Sequence, residues 1–458
     1  MPSPNEGVDQ SLGDYYRIAA DSLPWPAMTL SHPFGPSGFF RFHGQICYGQ
    51  SHTGTTPDVT KAAQFNASNG IAPPGPVAQL PFLFSEVIEN LRLERYQSEP
   101  FAKSELVRRL YYMVRGRLPV SLRRQLQKAY LSDWKTLPFP SWPVDFTVDS
   151  LHRELLRSLM EVGAVKKVPF IWFWPEGASS CLIMTHDVET VVGRDFSSAL
   201  MDLDDSFGIK ASFQVIPEGR YSVSDDYVSE IRRRQFEFNI HDLNHDGNLY
   251  CKRQEFERRA KRINAYVRSY GALGFRAGSM YRRQDWYDVF EFSYDMSVPS
   301  VAHLEPMRGG CCTVMPYFIG NILELPLTLT QDYSLLHIFN DYSIEFWKRQ
   351  LALIRAQNGL MSFIVHPDYL IERRAQGVYE SLLRYLKGAI MAERIWAPLA
   401  GDVDRWWRAR SQMSLVRRGD TWEIVGAESE KARLAFAVLD GDRVEYELAE
   451  IPAGTAIR

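Results

Sequence analysis

Short apolar runs of strand length recur between Ile171 and Ala400, separated by stretches with helical spacing. The runs are Cys181–Thr185, Ala211–Ile216, Phe236–Ile240, Leu273–Arg276, Phe292–Asp295, Leu323–Leu327 and Met361–His366. Apolar runs this short, bounded by turn residues, read as buried strands. The clearest helix is Arg253–Tyr270, where Phe256, Ala260, Ile263, Val267 and Tyr270 form one stripe and Gly271 is placed to stop it. Strands and helices in alternation predict an α/β fold, a mostly parallel sheet or barrel with function at the carboxyl ends of its strands.

The flanks have a different texture. Residues 15–75 are rich in Pro, Gly and aromatics, with Phe39–Tyr48 the best strand candidate and residues 53–76 reading as a loop. Helical spacing marks Leu83–Tyr96, Ser104–Val114, the basic Ser121–Leu131 and Ser150–Val162; the run Leu137–Pro143, with three prolines, should be extended. A solvated face is the commoner explanation of a basic helix. Beyond Trp406, Met413–Val416, Trp422–Val425, Leu434–Leu439 and Val444–Leu448 read as strands, with turn signals at Gly419-Asp420 and Asp440-Gly441-Asp442. The expected organisation is an N-terminal mixed region over 1–165, a barrel over 166–400 and a small antiparallel β cap over 401–458.

Composition narrows the function classes. The 458 residues, 45% hydrophobic and 23% charged, can bury a sizeable core. A formal charge of -3 with no dense basic stripe argues against a nucleic-acid partner. Five cysteines, two adjacent and none in CxxC spacing, give neither a disulfide framework nor a cysteine zinc site. A polar stretch over Met1–Asp14 and the absence of a membrane-length apolar run lead us to expect a cytoplasmic protein; oligomeric state is left open.

The candidate chemistry follows two of the strands. Asp187 and Glu189 come directly after Cys181–Thr185, and His241 and His245 follow Phe236–Ile240. Four-residue spacing within a helical or near-helical turn would put both imidazoles on one side. Two imidazoles and one carboxylate leave coordination positions open, which suits a hydrolytic metal site better than a closed structural one.

The order of motifs resembles that of the polysaccharide deacetylases that share the NodB-homology domain. The first family motif, with Asp-x-Asp or Asp-x-Glu as variants, stands as Thr185-His186-Asp187-Val188-Glu189, and the second, His-x-x-x-His, as His241 to His245. The third looks like Phe275-Arg276-Ala277-Gly278-Ser279; Tyr294-Asp295-Met296-Ser297 and Leu325-Pro326 follow, and Phe363-Ile364-Val365-His366 is similar to the last. The resemblance covers a little over half the chain. It implies a distorted (β/α) barrel for that part, to which the texture of the flanks adds an N-terminal α+β region and a small C-terminal antiparallel β cap.

It also implies roles. Glu189, His241 and His245 would hold a divalent ion, zinc being expected, which lowers the pKa of a bound water. Asp187 would be the base, kept ionised and oriented by Arg276. The ion and a backbone N–H, that of Ser279, would stabilise the oxyanion. His366, supported by Asp332, would protonate the departing amine. Val188 stands where the commoner form has a metal-binding Asp, so either Glu189 is the ligand or Asp187 is and no separate base remains. Gly278 stands where the family often has proline. His186 is expected in a packing or supporting role, and His303 and His337 are expected to be satisfied polar residues.

The implied activity is removal of an acetyl group, N-linked before O-linked, from a sugar of a glycan or its precursor. Two other readings compete: a catalytically silent glycan-binding or assembly module on the same barrel, and a metal-dependent amidase acting on a non-sugar substrate.

Overall fold

The computed structural model describes residues 11–19, 22–23, 35–68, 80–97, 125–126 and 128–449. Contacts divide the chain into two compact units, one of Met1–Tyr96, Thr147–Ala178 and Arg405–Arg458, the other of Gln97–Phe146 and Ser179–Asp404. The helix expected at Ser104–Val114 and much of that at Ser121–Leu131 lie outside the described residues.

In the first unit residues 11–16 are helical, and a hairpin of β1 (Gly38–Phe42) and β2 (Gln45–Gly49) comes later in the chain, Phe42 facing Gln45. The sequence predicts one strand over Phe39–Tyr48; the structure breaks it at His43 and Gly44, whose φ values are 45° and 81°. A two-residue hairpin turn of this kind needs positive φ at both central residues, and glycine supplies one of them at no steric cost. Helices α1 (Phe84–Arg92) and α2 (Thr147–Val162) and strand β3 (Lys167–Ile171) follow.

The second unit carries the predicted alternation. Its elements are β4 (Cys181–Val188), α3 (Val191–Phe207), β5 (Ala211–Val215), α4 (Asp225–Arg233), β6 (Glu237–His241), α5 (Arg253–Tyr270), β7 (Gly274–Arg276), β8 (Tyr294–Asp295), β9 (Tyr317–Ile319), β10 (Ile322–Glu324), α6 (Glu345–Arg355), β11 (Leu360–Val365) and α7 (Arg373–Glu393). The strands form one sheet in the order β11-β4-β5-β6-β7-β8-β10-β9. Every pairing is parallel except β9 with β10. This is the expected distorted (β/α) barrel.

All eight residues of β4 are buried, as a central parallel strand covered on both faces requires. Helix α5 buries Phe256, Ala260, Ile263 and Val267 and ends where Gly271 takes a left-handed φ of 55°. In α4, Ser224 caps the first turn, Asp225 and Asp226 stand at the positive end of the dipole, and Arg232 and Arg233 at the negative end.

The ladder does not run from β10 on to β11; side chains and loop backbone cross that seam. The Thr328 hydroxyl donates to the Leu360 carbonyl (2.7 Å) and accepts from the Ser362 N–H (3.0 Å), while the Leu360 N–H donates to the Val314 carbonyl (2.8 Å). One threonine thus satisfies two backbone groups of a buried strand.

The chain returns to the first unit through α8 (Ala400–Gln412), followed by β12 (Ser414–Arg418), β13 (Thr421–Val425), β14 (Leu434–Asp440) and β15 (Arg443–Leu448). β12 and β13 form one hairpin; β14 lies between β15 and β3 in a three-stranded antiparallel sheet, with Leu434 opposite Ile171. Buried Arg410 ties this unit together by donating to the carbonyls of Tyr15, Ile171 and Trp172, with its guanidinium against the rings of Phe173 and Trp407. Burial, with the Arg17 charge nearby, pulls its pKa down to about 9. Among the described residues no helix is long and apolar enough to cross a membrane.

Replacing Thr328 by the isosteric Val leaves the Leu360 carbonyl and the Ser362 N–H without their partner. The barrel transition in urea should lose about 1–3 kcal/mol at unchanged m-value, and an unchanged midpoint would show that the seam does not depend on this hydroxyl.

Candidate metal and acid–base centre

Strand pleating sets the first half of the site. β4 runs three residues beyond its predicted end, so Asp187 is in the strand and Glu189 just past it. Successive strand residues face opposite sides. His186 and Val188 are both fully buried, Val188 in the main apolar core, while Asp187 and Glu189 share the other face. The intervening valine is what the pleat demands, and both carboxylates reach the same place.

His186 is turned away from them. Its Nε2 lies 2.9 Å from the Asp204 carboxylate and its Nδ1 3.2 Å from the Val365 carbonyl, while the Tyr379 hydroxyl donates to the other Asp204 oxygen. Its role here is packing and support. Asp204, inside α3, carried no sequence signal distinguishing it from any other polar residue on a helix.

The two histidines do not share a helical turn. His241 ends β6, and the chain then turns through residues with φ of 55° at Asp242 and 54° at His245. Two left-handed residues in five reverse the backbone and bring the imidazole centroids to 4.9 Å. His241 Nδ1 lies 3.1 Å from the Arg276 carbonyl, which can only accept, so Nδ1 carries the proton and Nε2 offers its lone pair.

Glu189 is the hub. Its Oε1 lies 2.9 Å from His245 Nε2, 3.7 Å from His241 Nε2 and 3.6 Å from His366 Nε2. Although His245 Nε2 is close to this oxygen, it is off the axis of a good hydrogen bond; neither it nor His241 Nε2 has a hydrogen-bond partner among the described residues. Glu189, His241 and His245 offer three ligand atoms all within 4.8 Å of one another, a group that could hold a metal ion. Two buried imidazole nitrogens with no other bond and one carboxylate match the donor set of a divalent ion with open positions.

Asp187 has a different partner. Its Oδ1 accepts from Arg276 Nη1 at 2.6 Å, and Oδ2 is 3.8 Å from His241 Nε2. Arg276 is fully buried; it also donates to the Thr185 hydroxyl (2.7 Å) and the Met296 carbonyl (3.0 Å). Thr185 in turn donates to the Phe363 carbonyl, a supporting role the sequence did not disclose. At the end of β11, His366 Nδ1 is 2.7 Å from Asp332 Oδ1, while its backbone N–H donates to Asp332 Oδ2 at 2.7 Å.

The electrostatics separate these groups. Burial pushes the Asp187 pKa up, but the charges of Arg276, His241 and His366 and the Arg276 hydrogen bond outweigh it and hold the carboxyl below the usual range. Burial opposes ionisation of Glu189 too, yet His245, His241 and His366 hold it well below the ordinary value. His366 moves the other way: burial disfavours its charge, but Asp332 and Glu189 raise its pKa well above the ordinary 6.5.

No protein-family model matches the chain, and no curated protein does. Solved structures do. One assigned as a polysaccharide deacetylase, from Mycobacterium smegmatis, is 17% identical, with a TM-score of 0.43 over 55% of this chain and 98% of that one. Another so assigned, from Pseudomonas aeruginosa PAO1, is 12% identical, with a TM-score of 0.40 over 51% and 93%. Puue allantoinase is 14% identical, with a TM-score of 0.40 over 51% and 92%. All three superpositions fall below a TM-score of 0.5, so the functional reading rests on the residues themselves.

Ser279, expected to offer a backbone N–H, takes a left-handed φ of 56° within the turn Gly278–Met280. Gly278 has no room for a side chain: a Cβ there would stand 2.6 Å from Asp242 Oδ2 and 2.9 Å from His245 Cδ2. Gly278→Ala should therefore displace the His245 ring and lower the zinc bound per chain after dialysis, with the fold retained by circular dichroism. Full zinc content in a folded variant would refute the crowding argument.

Proposed function

We propose that this chain is a metal-dependent hydrolase that removes an acetyl group, N-linked, from a sugar of a glycan or glycan precursor. The observation that carries the reading is the convergence at Glu189 of two imidazoles from the β6 end and a third from the β11 end, beside a separately paired Asp187. Glu189, His241 and His245 would be the ligands, which leaves Asp187 free as the base.

Asp187, ionised across the neutral range, is a weak base because Arg276 stabilises its charge. A divalent ion, zinc fitting this donor set, supplies the missing acidity by lowering the pKa of water and polarising the acyl carbonyl. Arg276 fixes one carboxylate oxygen and leaves Oδ2, on the His241 side, to accept the proton of the attacking water. As the tetrahedral carbon collapses, the C–N bond breaks and the nitrogen needs a proton. His366, protonated near neutral pH and held through Nδ1 by Asp332, delivers it from Nε2. Acetate and a free amine leave.

Purified protein loaded with zinc should release acetate from N-acetylated glycans, and His241→Ala should lose both bound metal and at least ~100-fold in kcat/KM, since outer and inner ligand losses both act on affinity and activity. A wild type that binds no divalent ion and releases no acetate across a panel of acetylated glycans sinks the reading. Acyl amides without a sugar, run on the same sample, separate the carbohydrate substrate from other amides.

The pH profile gives an independent check. The acid is active when protonated, so activity should fall as pH rises through a His366 pKa above 6.5; the base is active when ionised, so the acidic limb should lie below the usual carboxylate range. Asp332→Asn removes the charge that raises His366 and should shift the alkaline limb to lower pH. An alkaline limb that stays in place would mean that this histidine is not the titrating acid.

A further inference from the structure

The loop that carries His245 rests on two arginines. Arg259, on α5 and 8% exposed, makes a paired contact with the Asp246 carboxylate through Nη1 and Nη2 at 2.7 and 2.8 Å, and Nη1 also reaches Asn244 Oδ1 at 3.3 Å. From the other side Arg220 donates through Nη2 to the His245 carbonyl at 2.8 Å and through Nε to the Asn244 carbonyl at 3.4 Å. Asp246 also accepts from the Asn248 N–H, and Asn244 Oδ1 from the Asp246 N–H. The residues on both sides of His245 are therefore held through fixed hydrogen bonds to guanidinium groups.

Such holding has a reason. His245 sits at a φ of 54°, a left-handed conformation that a side chain with a Cβ occupies at a cost and keeps only when its surroundings enforce it. Its Nε2 stands 2.9 Å from Glu189 but off the axis of a good hydrogen bond, and its Nδ1 has no hydrogen-bond partner among the described residues, so the aim of the ring depends on the backbone that carries it. The planar fork of Arg259 on Asp246, one residue further along, supplies direction that a single point charge would not.

We infer that Arg259 is a positioning residue for the metal centre: through Asp246 it fixes the backbone that aims His245, and it thereby sets the affinity of the site for its divalent ion. This rests on the proposal that Glu189, His241 and His245 bind such an ion. A purely structural part would be limited to anchoring α5, where Arg259 also contacts Glu255 at 2.5 Å one turn earlier.

The test is zinc affinity, measured by competition with a chromogenic chelator on the full chain, alongside thermal unfolding of the metal-free proteins. Arg259→Ala and Asp246→Ala should each weaken zinc binding by roughly 10–100-fold, the range for partners that orient a ligand. Arg259→Lys, which keeps the charge but loses the fork, should recover only part of it. The double variant should bind no more weakly than the weaker single, because both act through one contact. Glu255→Ala, which breaks only the helix-internal contact, should bind zinc within a few-fold of wild type. If Arg259→Ala does not fold, Asp246→Asn carries the same expectation. Folded Arg259 and Asp246 variants with wild-type zinc affinity overturn the inference and leave the proposed activity standing, whereas a wild type that takes up no zinc overturns both.

Discussion

A guanidinium with no exposed surface needs acceptors for its donors, and the pairing of Arg276 with Asp187 is the constraint on which the centre depends. Removing either partner would leave an uncompensated charge among buried strands, a loss of about 3–5 kcal/mol. Arg276 also holds the Thr185 hydroxyl and the Met296 carbonyl, so one side chain joins β4, β7 and the segment after β8. Its own carbonyl accepts from His241. A single residue thus sets the ionisation of one carboxylate and the tautomer of one imidazole. The two carboxylates differ in surroundings: Asp187 is paired with a fixed cation, whereas Glu189 lies 2.9–3.7 Å from three imidazoles.

The same logic of compensation runs through the rest of the molecule. Asp332 offsets the burial of His366, Asp204 that of His186, and three carbonyls with two aromatic faces accommodate Arg410, which has no carboxylate partner among the described residues. Polar interiors of this kind are stable when each member is satisfied and fragile when one is lost.

Much of the barrel was legible in the sequence, because its signals are local. The stripe of α5 and the stop at Gly271 match the observed Arg253–Tyr270, and the strand runs were found with ends shifted by a few residues. The site was legible as a set of residue types in order, and the structure brings Asp187, Glu189, His241, His245, Arg276, Asp332 and His366 together. What could not be read was backbone that departs from regular periodicity. The left-handed φ at Asp242 and His245 has no glycine to announce it, so the His-x-x-x-His spacing suggested a helical turn. At the first hairpin Gly44 marks half of the turn, but nothing marks the positive φ of His43 beside it. The roles of Thr185, Asp204 and Thr328 depend on partners far along the chain, and nothing in their own neighbourhoods points to those partners. The end of β4, which the sequence placed three residues too early, puts Asp187 in the strand and Glu189 just past it.

The alternation along β4 has one more consequence. His186 and Val188 face the apolar core and Asp204, whereas Asp187 and Glu189 face the histidines, so the chemistry is encoded in whether a residue's count along the strand is odd or even. An insertion or deletion of one residue upstream within that strand would exchange the two sets, sending carboxylates into hydrocarbon and a valine into the mouth. Point changes can be absorbed by degrees; a shift of parity cannot. The eight residues from Cys181 to Val188 therefore have to keep their number, whereas the connections on either side of them do not carry that constraint.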